Sequence, residues 1–144
     1  MGQARGSGSF PRRRIVTAYL LDTNAALLAL GRPEELPARA RRAILAGPNV
    51  LSAVVYWEIV LKAMKGALSV GDPRTWWVEA LDQLAATPLP FRPEHAGGIY
   101  LLPPIHKDPF DRALIAQAMA ENLTLVTTDG EIPKYAEGRF SVLR

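Results

Sequence analysis

The sequence contains no cysteine, and this absence excludes disulfide bonds and thiolate metal sites. It also lacks an apolar run of the roughly 20 residues that a membrane helix needs, because Asp22 and Glu58 interrupt the best candidates. The N-terminus has no hydrophobic segment of the secretory type. We therefore expect a protein of the reducing cytoplasm with no membrane partner.

Acidic residues are absent from positions 1–14, although this segment carries four arginines. Subtracting these four charges from the formal net charge of +3 leaves −1, so the rest of the chain is nearly neutral. A basic tail of this kind can contact nucleic acid. However, the Gly-Ser repeat at 6–9 is typical of a flexible linker or a cloning remnant, and we favour that interpretation.

The remaining residues, 15–144, have the composition of one globular domain, since 49% of the whole chain is hydrophobic and only 22% is charged. Apolar runs alternate with stretches of helical periodicity. Strands are predicted at 15–21, 49–52, 89–91, 123–127 and 139–143, and helices at 23–30, 37–46, 53–65, 72–86, 93–101 and from 108 onwards. This alternation predicts an α/β fold, a three-layer sandwich around a mainly parallel sheet.

Four acidic residues lie at corresponding places in this pattern. Asp22 and Asp129 come directly after predicted strands, and Asp111 lies at the start of a helix that enters from the same edge. Glu58 lies in the second turn of the helix that leaves the second strand. Because ligands bind in the crevice at the carboxyl ends of parallel strands, we expect these four side chains to converge there.

Each acid also has a purely structural interpretation. Asp22 can be only a turn or cap residue, since aspartate is as common in that role as in a binding site. Thr23 or Asn24 can cap the helix instead. Glu58 can be an exposed residue paired with Lys62 at the i+4 position. In the sixth helix we expect Asp108 to be the cap and Asp111 to be available as a ligand.

Four carboxylates at close range repel one another, so a cluster needs protonation or a cation. The four motifs include no basic residue to neutralise them, since Lys62 and Arg112 are near only in sequence. A divalent ion is the simplest solution, and oxygen ligands without cysteine favour Mg²⁺ or Mn²⁺. That arrangement is typical of a metal-dependent phosphodiesterase.

Four segments, LLDTN, SAVVYWEIVLK, HKDPFDRALIAQA and LTLVTTD, resemble in order and spacing the PIN-domain ribonucleases, especially the VapC-like toxins of toxin–antitoxin systems. The resemblance implies a sheet of about five strands, a homodimer and a small antitoxin that blocks the site. It implies a catalytic quartet with Asp22 and Asp111 as direct Mg²⁺ ligands and Glu58 completing the metal environment. The full set comprises the acids Asp22, Glu58, Asp111 and Asp129, with supporting polar residues Thr23, Asn24 and Ser52. Independently of the resemblance, we expect Thr127 and Thr128 to position Asp129 or to satisfy backbone groups, which makes Thr128 a further supporting residue.

The leading hypothesis is therefore a Mg²⁺- or Mn²⁺-dependent endoribonuclease that acts on single-stranded or looped RNA. Lys62, Lys107 and Arg112 are the candidates for contacts with RNA phosphates. Phosphoryl transfer through an aspartyl nucleophile is disfavoured, because the phosphatase pattern needs an acid where Asn24 stands. The remaining alternative is a catalytically silent protein that keeps the fold and binds RNA or an antitoxin.

Overall fold

The computed structural model describes residues 17–104, 108–136 and 140–144, except for the side chain of Tyr135. The predicted tail at 1–14 lies outside these ranges. The strands are β1 (Tyr19–Leu21), β2 (Asn49–Ser52), β3 (Ala86–Leu89), β4 (Thr124–Val126) and β5 (Ser141–Leu143). The helices are α1 (Thr23–Gly31), α2 (Ala38–Ala46), α3 (Ala53–Met64), α4 (Pro73–Gln83), α5 (Pro93–Ile99), α6 (Pro109–Glu121) and α7 (Ile132–Ala136), with a 3₁₀ turn at Pro33–Glu35.

The five strands form one sheet in the order β3-β2-β1-β4-β5, and every neighbouring pair is parallel. The predicted α/β fold with a parallel sheet of about five strands is thus confirmed. From β1 the chain adds strands outward on one side and then returns to place β4 on the other side. The carboxyl ends of β1 and β4 therefore meet at the topological switch point, where parallel sheets bind ligands.

The strands are short and apolar because the middle of a parallel sheet is covered on both faces. Leu20, Leu21, Leu51, Leu125 and Val126 are all fully buried in the three central strands. No helix within the described ranges has the length and apolar character that crossing a membrane requires.

In the described ranges, helices α1, α3, α4 and α6 begin at a side-chain cap, and the cap of α6 at Asp108 was predicted. Ser52, Asp72 and Asp108 accept hydrogen bonds from backbone N–H groups in the first turns of α3, α4 and α6. The cap of α1 is Asp22, not Thr23 or Asn24. The acid at the end of β1 therefore ties the strand directly to its helix.

The largest disagreement with the predicted elements concerns the helix at 72–86 and the strand after it. Helix α4 ends at Gln83, and Ala85 has a positive φ of 48°, which ends helical geometry. The chain then pairs with β2 over Ala86–Leu89, earlier than the predicted strand at 89–91. Pairing with a neighbouring strand thus overrides the helical periodicity of the local sequence.

Three other strands are shorter than predicted, and of these β4 spans only Thr124–Val126. β1 begins at Tyr19, and the described residues Thr17 and Ala18 precede it without pairing as strand. β5 begins at Ser141. The outermost residues predicted for β1 and β5, at 15–16 and 139, lie outside the described ranges.

Asp72 allows a test of capping in α4. Its carboxylate accepts hydrogen bonds from the side chain and the backbone N–H of Arg74, and these lower its pKa from 3.8 to about 2. A lowered folded-state pKa stabilises the fold above pH 3.8 and loses that effect as the pH falls towards 2. We expect Asp72→Ala to lower the Tm at pH 7, and the difference from wild type to shrink between pH 5 and pH 3.

Asp82→Ala in the same exposed helix is the control, and thermal melts followed by circular dichroism are the measurement. A Tm difference for Asp72→Ala that is as large at pH 3 as at pH 7 would contradict the assignment.

Candidate active site

A cleft of about 270 Å³ opens at the carboxyl edge of the sheet, beside the ends of β1 and β4. All four acids predicted from the sequence line it, so the structure brings them together. The lining residues are Asp22, Thr23, Asn24, Leu27, Glu58, Lys62, Asp108, Asp111, Thr128 and Asp129.

Asp22 is both a helix cap and a cleft residue. Only 4% of it is exposed, and its Oδ1 accepts a hydrogen bond from the Ala25 N–H at 2.7 Å. Its Oδ2 accepts one from the Thr127 hydroxyl at 2.5 Å. Burial raises the pKa of Asp22, whereas the hydrogen bonds from Thr127 and from the Ala25 and Thr128 backbones lower it. The nearby Glu58 carboxylate raises that pKa further.

Glu58 is buried and has a donor on each carboxylate oxygen. The Thr23 hydroxyl donates to Oε1 at 2.5 Å, and Lys62 Nζ lies 2.8 Å from Oε2. The i+4 pair with Lys62 is therefore confirmed. The accompanying expectation that Glu58 is exposed was wrong. A buried carboxylate held on both oxygens has a fixed position relative to the cleft.

Lys62 corrects the expectation that no basic residue neutralises the acids. It lines the cleft, and the hydrogen bond to Glu58 raises the pKa of its ammonium group. Burial opposes this rise, while the charges of Glu58, Asp108 and Asp111 add to it. Lys62 is therefore charged at neutral pH and belongs to the same electrostatic cluster as the acids.

Asp129 is held through the backbone at the end of β4. Its N–H donates to the fully buried Thr127 hydroxyl at 2.9 Å, and its Oδ1 accepts from the Glu131 N–H at 2.8 Å. Since the same hydroxyl donates to Asp22, Thr127 links the two strand-end acids. The predicted supporting residue Thr128 accepts a hydrogen bond from Asn24 Nδ2 at 2.7 Å.

The sixth helix contributes two acids to the cleft. Asp108 Oδ1 caps the helix by accepting from the N–H groups of Phe110 at 2.8 Å and Asp111 at 3.2 Å. Asp111 lies in the first turn, where the helix dipole favours a negative charge. Asp108 is the cap, as expected, and both Asp108 and Asp111 line the cleft.

Two predicted residues lie elsewhere. Ser52 is fully buried and donates to Gln117 Oε1 at 2.5 Å, so it supports the start of α3 outside the cleft lining. The Arg112 guanidinium donates to the carbonyl oxygens of Pro103, Ile99 and Leu102 at 2.7–3.3 Å and does not line the cleft. Lys107 lies outside the described residues.

Thr127 positions Asp129, as expected, whereas its bond to Asp22 and the role of Gln117 were not predicted. Thr127 bridges Asp22 and Asp129, and Gln117 joins Ser52 to His95 Nδ1, which lies 3.3 Å from Gln117 Nε2. A polar residue in the middle of an apolar stretch, as at Gln117, is the sequence signal for a buried hydrogen bond.

The donor set of the cleft fits a hard divalent cation. It consists of carboxylate and hydroxyl oxygens and the Asn24 amide, without sulfur or imidazole. In the described parts of the chain, no three acidic or histidine side chains form a group that could hold a metal ion by themselves. The arrangement thus fits Mg²⁺, which is bound through one or two carboxylates and keeps several waters.

The Thr127 bridge gives a stability prediction. Thr127→Val keeps the shape but removes the hydroxyl that pairs with Asp22 and Asp129, and we expect the free energy of unfolding to fall by about 1–3 kcal/mol. Thr127→Ser keeps the hydroxyl and should lose less. Denaturant unfolding of both variants is the measurement, and an equal loss in both would show that the methyl group matters instead.

The family model of the PIN domain matches residues 19–138. No curated protein shows significant sequence similarity to the chain.

Several solved structures share the fold. One is VapBC2 from Rickettsia felis bound to a DNA fragment from its promoter, with 17% identity and a TM-score of 0.64, covering 88% of this chain and 98% of the matched chain. Another is the DNA-bound VapBC from Salmonella typhimurium, with 16% identity, a TM-score of 0.64 and coverage of 89% and 98%. A third is a toxin–antitoxin complex from Klebsiella pneumoniae, with 20% identity, a TM-score of 0.61 and coverage of 88% and 97%. At these identities the likeness shows a common fold.

Proposed function

Because this chain belongs to the PIN-domain family, we propose that it is a metal-dependent endoribonuclease and the toxin of a toxin–antitoxin pair. The observation that carries the proposal is the convergence of Asp22, Glu58, Asp111 and Asp129 on one cleft at the switch point of the sheet. Five carboxylates line the cleft with one ammonium group, that of Lys62, and the excess of negative charge favours a divalent cation there.

Asp22 and Asp111 would hold the Mg²⁺ or Mn²⁺ ion, each through a carboxylate at the start of a helix. When bound, the cation supplies Lewis-acid stabilisation of the charge that develops at phosphorus during hydrolysis. The protein itself would hold the metal-binding carboxylates in a fixed orientation. Thr127 and the Ala25 N–H leave Asp22 little freedom to rotate, and preorganisation of this kind favours catalysis.

The other cleft residues would orient the RNA. Lys62 is half exposed at the cleft and has N–H donors for a phosphate oxygen besides the one that bonds Glu58. Asp129 would orient the attacking water, since its backbone contacts hold it at the cleft wall.

The substrate would be single-stranded or looped RNA in the cytoplasm. The nearly neutral domain supports this choice, because strong nonspecific binding to a duplex needs many basic residues. The antitoxin partner, which would block the cleft, is supported by the likeness to chains from toxin–antitoxin complexes. We further propose a homodimer, as the family resemblance implies.

The test is cleavage of a mixed RNA pool by the purified protein with Mg²⁺, Mn²⁺ or EDTA. We expect cleavage with either metal and none with EDTA. Asp22→Asn should reduce cleavage to background and relieve toxicity in cells, because it removes a metal-binding charge while keeping the cap. The matched control is Asp82→Asn, an exposed position on α4 outside the cleft, which should cleave like wild type.

The result that overturns the proposal is absence of cleavage in every metal, even after denaturation and refolding have removed a co-purified partner. Toxicity that persists in Asp22→Asn would also contradict it. Both results would favour the silent RNA- or antitoxin-binding protein.

A further inference from the structure

The ion pair between Glu58 and Lys62 has a consequence for metal stoichiometry. We infer that the Lys62 ammonium occupies the place of a second metal ion, so that the cleft binds a single divalent cation. The inference rests on the proposed function, because it concerns the same cleft and its metal.

The two central carboxylates have different partners. Asp22 accepts hydrogen bonds from neutral donors, the Thr127 hydroxyl and the Ala25 N–H, and neither donor carries a charge that would balance a carboxylate. Glu58 has one neutral donor, Thr23, and one cation, Lys62, at 2.8 Å. Of these two carboxylates, only Glu58 has a cationic partner among the described residues, and we therefore expect Asp22 to attract a divalent ion more strongly.

The position of Lys62 is fixed by the helix that carries Glu58. Residues four apart lie on the same face of a helix, so the ammonium contacts the carboxylate within α3 and the pair needs no other segment of the chain. The Glu58 side chain is only 9% exposed, and its surroundings screen the pair less than bulk water would. The pair therefore differs from an ordinary surface salt bridge, although the Lys62 side chain itself is 48% exposed.

The ammonium also affects the neighbouring acids. Asp108 and Asp111 both interact electrostatically with Lys62, so its positive charge is shared by three carboxylates on one side of the cleft. A second divalent ion beside Glu58 would meet this positive charge and would have to displace it.

The test counts Mn²⁺ ions bound by the full chain, by isothermal titration calorimetry and by electron paramagnetic resonance of free Mn²⁺. Wild type should bind one ion. Lys62→Met removes the charge at similar length, and we expect it to bind two ions because Glu58 becomes available. Lys62→Arg keeps the charge and should bind one. Lys65→Met, an exposed position outside the cleft, is the matched control and should also bind one.

Two bound ions in wild type, or a single ion in Lys62→Met that still has native circular dichroism, would overturn the inference. If wild type binds two ions and cleaves RNA, the inference fails and the proposed function stands. If wild type binds no Mn²⁺ and cleaves no RNA, the proposed function fails as well.

Discussion

The crowding of carboxylates at one edge of the sheet is the constraint on which the rest of the site depends. Five acids line a cleft of about 270 Å³, and their repulsion has to be balanced wherever the chain can supply a donor or a cation. Asp22 and Asp108 use the N–H groups at the start of α1 and α6, where the helix dipole is positive. Glu58 uses Lys62. A metal ion would balance the charge that remains.

Topology explains why these residues meet, although they are far apart in sequence. β1 lies at the centre of the sheet, and the return of the chain to β4 places Thr127 beside Asp22, 105 residues away. The contact between Thr23 and Glu58 spans 35 residues and joins the helices after β1 and β2. Because β1 and β4 run in the same direction, the residues that follow them, Asp22 and Asp129, reach the same edge of the sheet.

The sequence alone predicted the features that depend only on the place of a residue within a strand or a helix. Acids after apolar strands predicted the cleft, and the cap at Asp108 followed from its residue type and its place before a proline. Direction in space was harder to predict. The i+4 spacing allowed a Glu58–Lys62 pair but did not show that both face the cleft, and Arg112 turns instead towards backbone carbonyls. The Thr127 bridge depends on a contact between distant strands, which no local pattern reveals.

The most direct test of the central claim, that these carboxylates form a metal centre, is anomalous diffraction from a crystal of the protein soaked in Mn²⁺. The account predicts one anomalous peak in the cleft, within ligand distance of the Asp22 and Asp111 carboxylates, with the Lys62–Glu58 pair intact. A peak that Asp22 does not contact, or no peak in the cleft at a Mn²⁺ concentration that supports RNA cleavage, would contradict it.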